Sequence, residues 1–192
     1  MLTLMDRIVK SGYSFLYWNF VKYKLKHCGH GSMFQYPFRI IGEKYISIGE
    51  KSYAAYGMKI EAHSVDTKEN EFYPSIIIGD DVHIGTNVHI GAINKIEIQS
   101  GVLLGSDITI IDHSHGKGDD TERDIAPQYR ALYSKGPVII EENVWIGDKV
   151  VILPNVKIGK GSIIGAGSVV TKNIPPFSVV AGNPARVIKK ST

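Results

Sequence analysis

The feature that most constrains this chain is a period of six. From Ile140 the sequence reads IEENVW, IGDKVV, ILPNVK, IGKGSI, IGAGSV and VTKNIP, consecutive hexads opening at Ile140, Ile146, Ile152, Ile158, Ile164 and Val170. The same register runs upstream from Ile78 through Ile84 and Ile90 to Ile96, slips by two residues and resumes as Ile98, Leu104 and Ile110; an earlier fragment gives Ile48, Ala54 and Ile60. Six matches neither the roughly 3.6-residue period of an amphipathic helix nor a hairpin meander, with turn signals about every eight to twelve residues. It fits a parallel β-helix, an all-β solenoid in which each hexad supplies one short strand and one corner and three hexads close a triangular coil. The opening aliphatic of each hexad then points inward and stacks on the residue eighteen positions later. Gly and Asn near the corners, such as Gly49, Gly85, Asn143 and Gly161, permit the backbone angles of a tight turn.

Composition agrees with strands over helices. The 192 residues include 27 Ile and 16 Val against 8 Leu, and β-branched side chains pack well on a pleated surface. A hydrophobic content of 43% suits one main core. Near the N-terminus the longest apolar run is Phe15-Leu16-Tyr17-Trp18, far short of the roughly 18 residues of a membrane span. Asp6, Arg7 and Lys10 interrupt any signal-peptide core. The single cysteine, Cys28, cannot close an internal disulfide, so a reducing cytoplasm is expected. Residues 1–27 carry a net +4 and the remaining 165 residues about −1, which argues against nucleic acid as a partner of the main domain.

The organisation expected is an N-terminal helical segment over 1–29 and a repeat domain over 30–190, interrupted by polar loops at 61–75 and 112–137. In the first segment Met5, Ile8, Val9, Phe15, Leu16, Phe20 and Tyr23 follow helical spacing. Its basic, aromatic character suits either packing on the end of the solenoid or association with an anionic membrane surface.

The tail carries a resemblance. Val144-Trp145-Ile146-Gly147, Ile164 to Lys172, Ile174-Pro175-Pro176 and Ala181-Gly182-Asn183-Pro184-Ala185-Arg186 resemble the hexapeptide-repeat acyltransferases. The pattern is similar to the galactoside, maltose and streptogramin acetyltransferases, and closer still to O-acetyltransferases of bacterial surface-polysaccharide pathways, which share the Asp112-His113-Ser114-His115-Gly116 pattern. The resemblance implies a left-handed β-helix, a homotrimer with active sites between subunits, acetyl-CoA as donor and a saccharide acceptor. No metal is expected.

Acetyl transfer to a hydroxyl needs a base, and histidine suits that task near neutral pH. His113 and His115 stand where a hexad run ends and the long loop begins. A gapless alignment of Leu104-Gly105-Ser106-Asp107 with the family's hexad puts His115 on the catalytic position, with His113 as the alternative. Asp112 would orient an imidazole or serve as a turn residue. The resemblance sets Trp145 at the border of the site, and the loop offers Arg123, Tyr129, Arg130 and Tyr133 to a hydroxyl-rich substrate. For the donor it implies Gly147 and Ala166 at the pantetheine arm, Thr171 and Lys172 beside its polar portion, and Arg186 and Lys189 at the nucleotide phosphates; Asp148 departs from relatives with a small hydroxyl residue there. Cys28, outside the repeat, has no partner base, so direct attack on acetyl-CoA is expected. Two alternatives stand beside this reading: N-acetylation of a nucleotide-linked amino sugar, and a non-catalytic or metal-binding solenoid, for which His83 and His89 are the only other regular histidine pair.

Overall fold

A computed structural model describes residues 4–66 and 71–190. Apart from two inserted hairpins and the last strand, the chain winds through three sheets in fixed rotation, so that strands consecutive in the coils do not pair and each lies parallel to the strand one coil away. The first sheet holds His27–Cys28, Ile46–Ile48, Ser75–Ile78, Lys95–Ile98, Val138–Ile140 and Lys157–Ile158. The second runs from Met33–Phe34 through His83–Ile84 and Trp145–Ile146 to Ser178–Ala181, and the third from Arg39–Ile41 through His89–Ala92 and Thr109–Ile111 to Val169–Val170. The solenoid read from the hexads is therefore present, with its aliphatic openers buried on the axis: Ile78, Ile84, Ile90, Ile98, Leu104, Ile110, Ile140, Ile146 and Ile152 all belong to one core. Burying each such side chain stabilises the fold by about 1.5–3 kcal/mol before conformational entropy is charged against it.

The expected stacking distance needs correction. Eighteen residues separate stacked partners only in the last full coil, where Ile140, Ile146 and Ile152 meet Ile158, Ile164 and Val170. Higher up the offset is twenty: Ile78 meets Ile98, Ile84 meets Leu104 and Ile90 meets Ile110. The two additional residues lie at the corner between the third and first sheets, between Ile90 and Ile98. What reads as a slip in the sequence is a wider corner. Both insertions leave the solenoid from this same edge.

The insertions are shorter and more ordered than expected. Glu61 and Ala62 stay in the ladder, paired with Gly91 and Ala92, and the first insertion carries the antiparallel pair Val65–Asp66 and Glu71–Phe72; residues 67–70 of that expected loop lie outside the described residues. In the second insertion Ser114–His115 pairs antiparallel with Leu132–Tyr133. Between them are two 3-10 turns, Asp120–Glu122 and Pro127–Tyr129.

At the N-terminus the helix α1 spans Leu4–Val21, followed by a 3-10 turn at Lys22–Lys24. The helical segment does not reach residue 29: His27–Cys28 is the first strand of the first sheet, because the Lys26 and Gly29 N–H groups donate to Ile46 O and Ile48 O of the next coil (3.0 and 2.8 Å). Residues 1–3 and the side chains of Met5, Ile8 and Val9 lie outside what is described. Trp18 is buried, stacks on Phe34 with ring centroids 4.6 Å apart, and donates its indole N–H to Ser32 O at 2.7 Å. The helix therefore packs on the first coil.

Along one edge the corners repeat one backbone conformation. On the edge from the first to the second sheet the residues with φ near +55° to +75° are Gly31, Lys51, Asp81, Gly101, Asn143, Gly161 and Phe177. A left-handed residue other than Gly costs about 1–2 kcal/mol, and the stack of coil-to-coil hydrogen bonds holds each one in place. Close approach imposes a second demand on the next edge: a Cβ on Gly147 would come within 2.8 Å of the Ala166 amide nitrogen. A Cβ on Gly12, inside α1, would have no neighbour within 4 Å among the described residues. We expect Gly147→Ala to lower stability by about 1–3 kcal/mol and Gly12→Ala to raise it by about 0.5–1 kcal/mol, read as opposite shifts in thermal midpoint.

Candidate active site

The wide corner creates an unusual backbone need. Where the chain leaves the coil after Asp112, the carbonyls that would receive the amides of the coil above are missing. The Asp112 carboxylate replaces them: the Ile93 N–H donates to one oxygen and the Asn94 N–H to the other, both at 2.9 Å. Asp112 has no exposed surface. Its Oδ1 also lies 3.0 Å from His113 Nδ1.

This geometry fixes a tautomer. A carboxylate that already accepts two backbone N–H groups has only acceptor capacity left, so the Nδ1 facing it carries the proton and Nε2 is left as the free base. The His113 side chain is 18% exposed, enough for its outer edge to meet a ligand. His115 lies two residues on, exposed on the hairpin strand, and makes no side-chain hydrogen bond among the described residues. Asp112 is thus not the local turn residue considered for it: its backbone partners, Ile93 and Asn94, belong to the neighbouring coil, and the same carboxylate faces an imidazole.

The structure adds neighbours: Gly91 and Glu61 were not singled out in the sequence, and His89 was named only as one of a regular histidine pair. Gly91 pairs with Glu61 above and Ile111 below, leaving a notch in an otherwise side-chain-bearing column. A Cβ there would stand 3.5 Å from both His113 Cε1 and His89 Nε2. Two imidazoles thus converge on one gap. His89 Nε2 is buried without a hydrogen-bond partner, although Glu61 Oε2 lies 3.4 Å away, a contact whose alignment is too poor for a hydrogen bond. Glu61 also faces Arg39 Nε at 3.2 Å and His63 Nε2 at 3.8 Å. Gly91 reads in sequence like any second-place hexad glycine. Gly79 and Gly85 are crowded by backbone, but Gly91 is open to side chains. Among the described residues no group of three or more His, Cys, Asp or Glu is arranged to hold a metal ion.

The expected loop residues serve the loop itself. Arg123 pairs with Asp120 at 2.6 Å, and Arg130 Nε donates to Ile125 O at 2.9 Å. Tyr129 is exposed, and Lys117 lies over the Tyr133 ring at 6.0 Å.

The expected donor residues do not gather at the histidines within one chain. Gly147 and Ala166 stack on the edge between the second and third sheets. Thr171 and Lys172, both exposed, follow the last strand of the third sheet, on the edge that carries Asp112 and His113. Arg186 and Lys189 lie on the antiparallel strand Arg186–Lys190 that closes the second sheet. Trp145 stands on the outer face of the second sheet, 51% exposed, between Leu103 (48% exposed) and Ile163. The Asp148 carboxylate accepts the Ser106 N–H at 2.7 Å, a structural bond that explains an acidic residue at this corner.

A family model described as bacterial transferase hexapeptide (six repeats) matches residues 137–172. The Escherichia coli (strain K12) protein WbbJ, whose name assigns it provisionally to lipopolysaccharide biosynthesis as an O-acetyl transferase, is 34% identical over 160 residues, covering 81% of this chain and 77% of its own. This chain belongs to the hexapeptide-repeat acyltransferase family. The structure of a maltose O-acetyltransferase from Clostridium difficile 630 is similar with a TM-score of 0.59 at 30% identity, over 91% of this chain and 74% of that one. The fold is also shared with AntD, an N-acyltransferase from Bacillus cereus, in its complex with dTDP and 3-hydroxybutyryl-CoA: TM-score 0.72, 22% identity, 91% and 87% coverage.

Cys28 stands apart from this edge, in the first strand of the first sheet, and burial pushes its thiol up from the ordinary range against the opposing pull of Lys22. A thiol shifted upward is mostly protonated near neutrality and is a weak nucleophile. Cys28→Ala is expected to leave acyl transfer unchanged, and alkylation of the wild-type thiol should stay slower than that of free cysteine past the free thiol's pKa of about 8.5, the difference closing only once the pH exceeds the raised pKa of Cys28 itself.

Proposed function

We propose that this protein is an acetyl-CoA-dependent O-acetyltransferase acting on a saccharide hydroxyl in surface-polysaccharide biosynthesis, with His113 as general base. The observation that carries the assignment of the base is the Asp112–His113 pair: a buried carboxylate, pinned by two amides, presents one imidazole with its outer nitrogen free. As the hydroxyl oxygen attacks the thioester carbonyl carbon, Nε2 takes the hydroxyl proton. The carbon–sulfur bond then breaks, and the imidazolium returns the proton to the departing CoA sulfur. Asp112 stabilises the imidazolium in between. Backbone N–H groups polarise the carbonyl. The notch at Gly91, with His89 and Glu61 beside it, gives the acceptor polar partners next to the base.

We further infer a homotrimer with the site between subunits, built on a left-handed coil as the resemblance implies. Two observations support it. Gly147, Ala166, Arg186 and Lys189 lie away from the edge that carries the histidines, and the second sheet exposes Tyr53, His83, Leu103 and Trp145 in one column, a largely apolar strip of the kind that marks an interface. Facing edges of neighbouring prisms would then unite Gly147, Ala166, Arg186 and Lys189 with His113. A CoA thioester donor places the reaction in the cytoplasm.

The deciding experiment follows release of CoA thiol from acetyl-CoA with hydroxyl and amine acceptors in parallel, for wild type, His113→Ala, His115→Ala and Asp112→Asn. Acceptor-dependent release should fall by roughly 10²–10⁴-fold in His113→Ala and persist in His115→Ala; the reverse pattern would move the base to His115. Asp112→Asn should fall with His113→Ala. Release with amines alone would favour N-acetylation, and absence of any thermal stabilisation by CoA would leave a scaffold. Trp145→Glu should lower the mass measured by light scattering from that of a trimer to that of a monomer.

A further inference from the structure

The helix α1 has two apolar faces, and the solenoid uses one. Ser14, Trp18, Val21 and Leu25 point inward and are buried. Leu16 and Phe20, about half a turn around the helix from Trp18, are 70% and 65% exposed, and Tyr23 beyond them is 81% exposed. Two lysines lie against its rings. Lys22 Nζ lies 5.3 Å from the Tyr23 ring centre and Lys24 Nζ 4.9 Å from that of Phe20. Among the described residues none of Lys22, Lys24 and Lys26 is paired with a carboxylate. Between the helix and the first coil runs a groove of about 770 Å³, whose lining includes Trp18, Leu25 and Met33 together with Lys22, Lys26 and His30.

We propose that this end of the molecule docks on an anionic phospholipid bilayer, with Leu16, Phe20 and Tyr23 entering the headgroup region and Lys22, Lys24 and Lys26 meeting lipid phosphates. An apolar ridge rimmed by unpaired lysines has the chemistry of an interfacial helix. A second copy is the poorer occupant, because a self-complementary contact through this face sets each lysine cluster against its own counterpart. Three large side chains on one helix are also little against the roughly 800 Å² per partner of a stable interface. Packing on the solenoid and docking on a bilayer are compatible, since they use opposite faces. The inference gains strength from the trimer reading: a threefold axis parallel to the solenoid axis brings three first coils, and so three helices, to one end, where one flat surface can meet all of them. The docking face itself does not depend on the acyl-transfer assignment.

The test is co-sedimentation of the full chain with phosphatidylcholine vesicles, with and without phosphatidylglycerol. Binding is expected only to the anionic vesicles, and raised salt should abolish it. The triple variant K22Q/K24Q/K26Q should bind roughly 100-fold more weakly, from about a factor of five for each lysine lost near the surface. L16S/F20S should weaken binding at unchanged thermal midpoint, with light scattering giving the wild-type mass. Equal failure with both vesicle types would overturn the proposal. So would binding unaffected by the lysine changes, or a smaller mass for L16S/F20S, which would assign the face to a second copy. Acetyl transfer to a soluble acceptor, measured without vesicles, should be the same in all variants, so loss of docking and loss of the proposed activity are read separately.

Discussion

Coil-to-coil register is the constraint on which everything else rests. The strands of the coils are two to four residues long, too short to be stable alone, and they survive because their amides and carbonyls are taken by the neighbouring coils. That arrangement tolerates no drift: a residue displaced along one coil would lose its inward partner in both neighbours. It explains why left-handed corners recur in columns and why small residues line edges where backbones approach. It also explains why a departure of the chain must be repaired chemically. The Asp112 carboxylate is that repair, and it is also the group that holds His113.

Structure and chemistry are therefore joined at one residue. The wide corner between the third and first sheets has two spare residues, and both insertions exploit it. At the first, backbone alone suffices, because the His63 and Ser75 N–H groups donate to Ala92 O and Asn94 O (2.9 and 2.8 Å) on either side of the departing segment. At the second, an ionisable side chain replaces backbone. A buried acceptor of this kind has to be negatively charged or doubly accepting to satisfy two amides, and the same property fixes the ring beside it.

Much of this was legible in the sequence. The hexads specify strands, corners and inward residues, and the positions that open them are the core. The two-residue slip was visible too, but its meaning was not, because periodicity reports spacing and not which side of a triangle is longer. The candidate site was legible as a segment, Asp112 to Gly116, yet spacing could not choose between His113 and His115: the choice proposed above rests on which ring reaches a carboxylate engaged by Ile93 and Asn94, nineteen and eighteen residues away. The proximity of His89 and Glu61 to His113 was hidden for a related reason. They lie on outward positions of ordinary-looking strands, and only the notch at Gly91, one coil from Ile111, makes them neighbours of the histidine. The helix boundary failed because local propensity favours continuing through Lys22–Lys26, whereas the hydrogen bonds offered by Ile46 and Ile48 do not appear in local sequence.

The two ends of the solenoid differ from everything between them. A stack of near-identical rungs has no intrinsic stopping point, since the last rung of one molecule presents the same unpaired groups that the first rung of another could accept. At one end α1 sets Trp18 over the first-coil residue Phe34; at the other, the chain reverses and lays Arg186–Lys190 antiparallel along Ser178–Ala181. Neither element repeats, and neither offers a parallel continuation to an incoming rung. The molecule is thus a fibre made finite, with its length set by two terminal stops and not by the repeat itself.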